Sequence, residues 1–188
     1  MSEALDEMFL LGEEKMEKAV AQLQKEFATI RSGRANPGIL DKVIVEYYGA
    51  PTPLRQMSQV SVQDGTTLVI TPYDKTIMKD IEKAIIKAEI GITPNSDGIC
   101  IRLPFPPLTE DRRREIAKDV KRIGEDSKVA IRNIRRDMVD KLKKIEKDEN
   151  LPEDAVKDNQ DSIQKLTDKY IANIDKAIEV KEKEVMTV

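Results

Sequence analysis

The sequence predicts an α+β protein of two domains, an elongated antiparallel three-helix bundle with a small β/α/β domain inserted in it. Three observations point there. Apolar residues recur at helical spacing in three long stretches, one early and two late in the chain. Between the first and second stretch the period shortens to that of strands and turns. The second stretch, about 40 residues, spans about 60 Å as a helix, whereas a compact globule of 188 residues is only about 40 Å across. A helix longer than the globule demands an elongated bundle.

The first helix is read from Leu5, Met8, Phe9, Gly12, Met16, Ala19, Val20, Leu23, Phe27 and Ile30, spaced by threes and fours. It ends at Arg31-Ser32-Gly33-Arg34-Ala35-Asn36-Pro37-Gly38, where Gly and Pro stop a helix. Alternation over Val43–Tyr48 reads as a strand, and Pro51 and Pro53 then break the chain. Short strands follow at Val60–Val62 and Thr67–Thr71 around an Asp64-Gly65 turn. Asp74 caps a helix that runs through about Ile90, with Ile77, Ile81, Ala84, Ile85 and Ala88 on one face and Gly91 as its stop. Asn95-Ser96-Asp97-Gly98 reads as a turn between strands near Ile92 and at Ile99–Leu103. Thr109 caps the second long helix, whose stripe is Ile116, Val120, Ile123, Ala130, Ile134, Met138, Leu142 and Ile145. Asn150-Leu151-Pro152 makes a tight reversal into a third stripe from Val156 to Val185. The expected domains are 1–31 with 108–188 for the bundle and 32–107 for the insert.

Composition narrows the function. Charged residues make up 36% of the chain, against roughly a quarter in an ordinary domain, so much of its surface is ionic. Aromatics are only 4% and Trp is absent, which suits a thin aliphatic seam between helices better than a thick sandwich. The absence of histidine excludes His triads, His metal sites and imidazole switches. One cysteine, Cys100, excludes an intramolecular disulfide and a cysteine zinc cluster. The acidic start around a short apolar patch does not read as a signal peptide. No apolar run approaches the ~20 residues of a membrane span. The expectation is a soluble, cytoplasmic, monomeric protein that meets no membrane and is not an enzyme, with no catalytic residue, metal or cofactor.

Charge is distributed unevenly. Residues 1–31 carry 4 basic and 7 acidic side chains, 32–107 carry 8 of each, and 150–188 carry 6 and 9. Residues 112–147 carry 14 basic against 7 acidic, a net +7 in a chain of net −3. Such blocks speak about partners. At about 100° per residue, Arg114, Lys118, Lys121, Lys128, Arg135, Arg136 and Lys143 fall within about 60° of Arg132, opposite the apolar stripe. A solvated face with i,i+4 pairs is the ordinary alternative. Against it stands the clustering of arginine at Arg112-Arg113-Arg114 and at Arg132, Arg135 and Arg136, because its planar fork suits phosphate. No aromatic residue interleaves the stripe, so it would grip a folded RNA backbone by charge without stacking on bases.

The insert is tethered by two chain crossings, Arg31-Ser32-Gly33-Arg34 and Pro104-Phe105-Pro106-Pro107. A double crossing permits bending about one axis, and these residues are candidates for a hinge, with two ordinary loops as the plain alternative. Asp41, Glu46, Asp64 and Asp74 read as caps and turn residues, and Cys100 as a packing residue.

The strings FATIRSGRANPGILDKVIVEYYGAPTPLRQ (27–56), PNSDGICIRLPFPPLTEDRRREIAK (94–118), VAIRNIRRDMVDKLKK (129–144) and QDSIQKLTDKYIANIDKAIEVKEKEVM (160–186) closely resemble bacterial ribosome recycling factors. The resemblance implies an L-shaped, tRNA-like molecule with a flexible hinge. It further implies a translation factor that binds the post-termination ribosome on large-subunit ribosomal RNA. With elongation factor G and GTP, such a factor splits the ribosome from messenger RNA and deacylated tRNA. The family's RNA-contacting arginines would correspond to Arg31, Arg112, Arg113, Arg132, Arg135 and Arg136, joined from the stripe by Arg114, Lys118, Lys121 and Lys128. A helical adaptor or holdase-like protein, using the stripe on an acidic protein surface, is the competing expectation.

Overall fold

The computed structural model describes residues 2–187. Three long helices, α1 (Glu3–Ala28), α4 (Glu110–Glu149) and α5 (Glu153–Met186), bracket a run of short elements. Two of these are one-turn-scale helices, a 3-10 turn at Pro37–Lys42 and α2 (Leu54–Met57). A second 3-10 turn, Lys75–Ile77, leads into α3 (Met78–Lys87). The strands are β1 (Ile44–Tyr47), β2 (Ala50–Pro53), β3 (Ser58–Gln63), β4 (Thr67–Pro72), β5 (Asn95–Ser96) and β6 (Ile101–Pro104). The α+β class, helical bundle plus small strand unit, is as expected. The chain forms two compact units: residues up to Gln24 with Lys118–Glu182, and Lys25–Ala117 with the chain from Lys183 onward. The division falls inside the long helices. Side chains tie the ends of those helices to the segment after α1: Asn36 Nδ2 donates to the Ala28 carbonyl at 2.7 Å, and Ser32 Oγ donates to Glu184 Oε1 at 3.4 Å.

In the helical unit the pairings fix the directions. Lys128 meets Asp175, Arg135 meets Gln164, and Gly124 packs on Ile178, so numbers fall on α5 as they rise on α4. Gly12 packs on Met138 while Ala4 lies by Ile145, so α1 also runs antiparallel to α4; Phe9 lies by Ser162 and Glu13 reaches Lys169 and Tyr170, so α1 and α5 run parallel. The seam is aliphatic, with Met16, Leu23, Val120, Ile131, Leu142 and Ile174 essentially buried. Ile131 is fully buried although the expected stripe omits it, and Ile123, Ala130, Ile134 and Ile145 are only half-buried. The core side of α4 is therefore turned toward Ile131. Capping is as read: the Arg112 N–H donates to Thr109 Oγ1 at 3.1 Å. After α4, Asn150 takes a left-handed φ of 53° and the Leu151 N–H reaches the Glu146 carbonyl at 3.2 Å, closing the helix in a Schellman-type turn.

The strand unit holds a four-stranded sheet of order β3-β4-β6-β5, antiparallel throughout, and a separate β1–β2 ribbon. Leu68 opposite Leu103 and Ile70 opposite Ile101 give the sheet its buried face, and Met78, Ile81 and Ile85 of α3 complete one core with Val45 of the ribbon. Four expectations are corrected here. Pro51 and Pro53 do not break the chain; they lie in β2, opposite Glu46 and Ile44, in a ribbon whose strands are both edges and so can do without an N–H. Pro37 opens a helical turn instead of ending one, because Asn36 accepts the Gly38 N–H as its cap at 3.0 Å and Pro suits the first position. No strand forms at Ile92 among the described residues. Asn95 and Ser96, expected in a turn, pair with Arg102 and Ile101 as β5. The reversal lies at Asp97–Cys100, where the Asp97 carboxylate accepts N–H bonds from Cys100 and Ile99 and an ion pair from Arg102. These hold its carboxyl well below the usual range. Asp74 caps the 3-10 turn ahead of α3, and α3 itself stops at Lys87, with Glu89 in a left-handed φ of 52°.

Two glycines set the closest helix approaches. A methyl on Gly124 would overlap the branched end of Ile178, and one on Gly12 would overlap the thioether of Met138. Overpacking a core costs about 1–3 kcal/mol. Met138 can swing its flexible end aside and Ile178 cannot. Gly124→Ala should lower the melting temperature by roughly 2–12 °C, and Gly12→Ala by clearly less, as read by far-ultraviolet circular dichroism.

Candidate nucleic-acid interface

The proposed contacts on α4 divide into free and engaged cations. Lys118, Lys121, Arg132, Arg136 and Lys143 are exposed, and none lies within ion-pair distance of a carboxylate among the described residues. Arg114 is exposed but pairs with Glu110 at 2.7 Å, and Arg112 pairs with Glu115 at 2.8 Å. These surface pairs contribute little and exchange readily for another anion.

Lys128 and Arg135 sit on the edge of the stripe that leans on α5. Lys128 is 13% exposed; its ammonium bonds Asp175 and also Glu125 at 3.1 Å. Asp175 above all, with Glu125, raises its pKa against the opposing effect of burial. Arg135 is half-buried, donates to Gln164 Oε1 at 3.0 Å, and has its Nε tucked away without a hydrogen-bond partner. The expected uniform stripe is thus two surfaces, an outward one that is free and an edge that clamps α4 to α5.

At the crossings, Arg31 is half-buried and donates to the Pro106 carbonyl at 3.2 Å, linking one crossing to the other. Ser32 is fully buried, and its hydroxyl also lies 3.5 Å from the Arg34 carbonyl. Phe105 belongs to the strand unit's core, and its N–H donates to the Thr66 carbonyl at 2.8 Å. The Ala35 N–H donates to the neighbouring Gly65 carbonyl at 2.9 Å, so both crossings are anchored to the β3–β4 turn. Between these anchors and the helices remain Gly33, Arg34, Pro106 and Pro107, which are exposed or half-buried. Arg113 is half-buried near the start of α4, with its Nε enclosed. The roles of Asn36 and Gly38 escaped the sequence reading, although Asn-Pro-Gly carries the cap signal; a side chain on Gly38 would meet the Ala28 carbonyl at 2.8 Å.

Among the described residues no group of three or more His, Cys, Asp or Glu could hold a metal ion, and no helix is long and apolar enough to cross a membrane. What this fold and surface define is a long charged bundle, with a strand unit between its first two helices, presenting a ridge of free cations on one helix. The family profile described as "Ribosome recycling factor" matches residues 23–186. The Bacillus subtilis ribosome-recycling factor is 55% identical over 97% of this chain and 98% of its own length. That of Caldicellulosiruptor saccharolyticus is 52% identical over 98% and 100%. A solution structure of the ribosome recycling factor superposes with a TM-score of 0.82 at 39% identity, covering all of both chains. Another matching structure is described as models for the T. thermophilus ribosome recycling factor and the E. coli elongation factor G bound to the E. coli post-termination complex. It is 42% identical, covers 97% of this chain and 99% of its own, and has a TM-score of 0.71. The chain belongs to the ribosome recycling factor family.

The clamp yields a prediction. Lys128→Gln should cost about 1–2 kcal/mol, between an exposed pair and a fully charge-assisted bond. Arg132→Ala, on the free face, should cost about 0.5 kcal/mol or less. Because the folded pKa of Lys128 is raised, its contribution is complete below the unfolded value and is lost as pH climbs through the folded one. Thermal melts from pH 6 to 8 should therefore show a constant gap between wild type and Lys128→Gln.

Proposed function

We propose that this chain recycles ribosomes after termination. The bundle anchors electrostatically on large-subunit ribosomal RNA. The strand unit receives displacement from elongation factor G and GTP, and the ribosome is split from messenger RNA and deacylated tRNA. Family membership supports this reading, as does the T. thermophilus relative described with elongation factor G and the post-termination complex. The observation that carries it is the free ridge of Lys118, Lys121, Arg132, Arg136 and Lys143 facing away from the apolar seam. Of the other expected contacts, Arg31, Arg112, Arg113 and Arg114 would join by exchanging present partners, while Lys128 and Arg135 would act chiefly through the clamp. In this reading residues 1–31 with 108–188 work as one body and 32–107 as the other. They bend at 31–34 and 104–107. The protein acts as a cytoplasmic monomer, and the GTP belongs to the elongation factor.

A charge-assisted bond to phosphate contributes roughly 1.5–3 kcal/mol, so Arg132→Ala and Arg136→Ala should each weaken binding to large ribosomal subunits about 10- to 150-fold. Each should also flatten the slope of log affinity against log salt by about one unit, with melting unchanged. Normal binding by both variants would remove the anchor.

The hinge is tested separately. Ser32 Oγ and Glu184 Oε1 are 3.4 Å apart, which places the first crossing against the end of α5. A disulfide formed between Ser32→Cys and Glu184→Cys should inhibit splitting far more than binding, and reduction should restore it. Undiminished splitting by the linked protein would exclude bending there.

A further inference from the structure

The strand unit carries a second cationic surface. Lys75, Lys79, Lys83 and Lys87 recur every four residues along the 3-10 turn and α3, and all are exposed. Four residues of helix advance about 6 Å, so the charges form an evenly stepped row. Lys79, Lys83 and Lys87 lie opposite the buried Met78, Ile81 and Ile85. Among the described residues none of the four lies within ion-pair distance of a carboxylate. Asp80 and Glu82 flank the row without reaching it. The unit's other acids include Asp74 as a cap, Asp97 closing a turn, and Asp41 paired with Arg55 at 3.0 Å. Residues 32–107, with 8 basic and 8 acidic side chains, thus separate their charge and leave a bare cationic row.

Aromatic rings stand at one end of the row. Tyr73 is 72% exposed, two residues before Lys75, and Tyr48 is 89% exposed. The Tyr48 ring packs edge-on against Tyr47 with centroids 4.5 Å apart, and the Tyr47 hydroxyl donates to Asp74 Oδ2 at 3.2 Å. Three of the chain's four tyrosines therefore gather beside the first lysine. Free cations with exposed rings suit unpaired nucleotides, the charge following phosphates and the rings stacking on bases. The α4 ridge has the charge without the rings.

We infer that the Lys75–Lys87 row, with Tyr73 and Tyr48, is a second RNA-binding surface that takes an unpaired segment of ribosomal RNA. It rests on the ribosome-binding reading above, and the test separates the two. Full-length protein bearing Lys79→Cys takes a tethered iron chelate there, because Cys100 is buried. On ribosomes it should cleave ribosomal RNA at a discrete unpaired segment. Lys79→Gln/Lys83→Gln should flatten the salt slope of ribosome binding by about 1.4 units, at about 0.7 per single-strand phosphate. The corresponding pair of Lys→Arg changes should retain it. Tyr73→Ala should weaken binding about five- to a hundredfold, and Tyr73→Phe should not. An unchanged slope and affinity, or proximity from position 79 to protein alone, would overturn the inference. Arg132→Ala runs in parallel: if it weakens binding while the row variants do not, only the second surface fails. Normal binding by Arg132→Ala removes the bundle anchor, whatever the row variants do.

Discussion

The rotation of α4 about its own axis decides which of its charges can meet a partner. A helix with basic residues at 14 positions between 112 and 147 could present many different stripes. Contacts with α5 select one. Gly124 lets the backbone come close to Ile178, Ile131 turns inward, and Lys128 and Arg135 reach sideways to Asp175 and Gln164. With these fixed, Arg132 and Arg136 must face outward, because the helical period leaves them nowhere else. Steric fit at a glycine, a half-buried ion pair and an apolar seam thus determine an electrostatic surface. The clamp cations help hold the helix that displays the free ones.

A comparable constraint governs the crossings. Two chain segments that enter and leave an inserted unit could move independently. Here the Ala35 and Phe105 N–H groups bond successive carbonyls of one β-turn, and Arg31 reaches across to Pro106. The two strands of chain are thereby tied to one turn and to each other. On the hinge reading proposed above, bending would fall on the short links left between these bonds, Gly33 and Arg34 on one side and Pro106 and Pro107 on the other, which the proline rings stiffen.

The long-range architecture was legible because helical periodicity over 26, 40 and 34 residues dominates any local ambiguity. The small unit was less so. Pro51 and Pro53 speak locally against a strand, and only the tertiary fact that β2 is an edge admits them. Asn95 and Ser96 have turn chemistry, but the ladder to β6 outweighs it and moves the reversal two residues on. On α4, angular arithmetic put Arg132 on the side away from the seam, where it is exposed, yet it could not see that a neighbour on one flank would absorb Lys128 and half-bury Arg135. A helical wheel knows one helix; burial of a charge depends on the helix beside it. The four-residue lysine spacing on α3 was readable in principle, since it needs only the period.

The net charge of −3 has a consequence for such a surface. A chain that meets polyanions through a uniformly basic exterior would bind any nucleic acid, because counterion release is indifferent to sequence. Here acids are in excess on α1 and α5, while cations free of ion pairs line one face of α4 and one face of α3. On the RNA-binding reading proposed above, affinity would depend on whether an RNA presents its backbone where these faces lie. Selectivity for a folded RNA can arise in this way from charge separation on rigid elements, with no base read directly by α4.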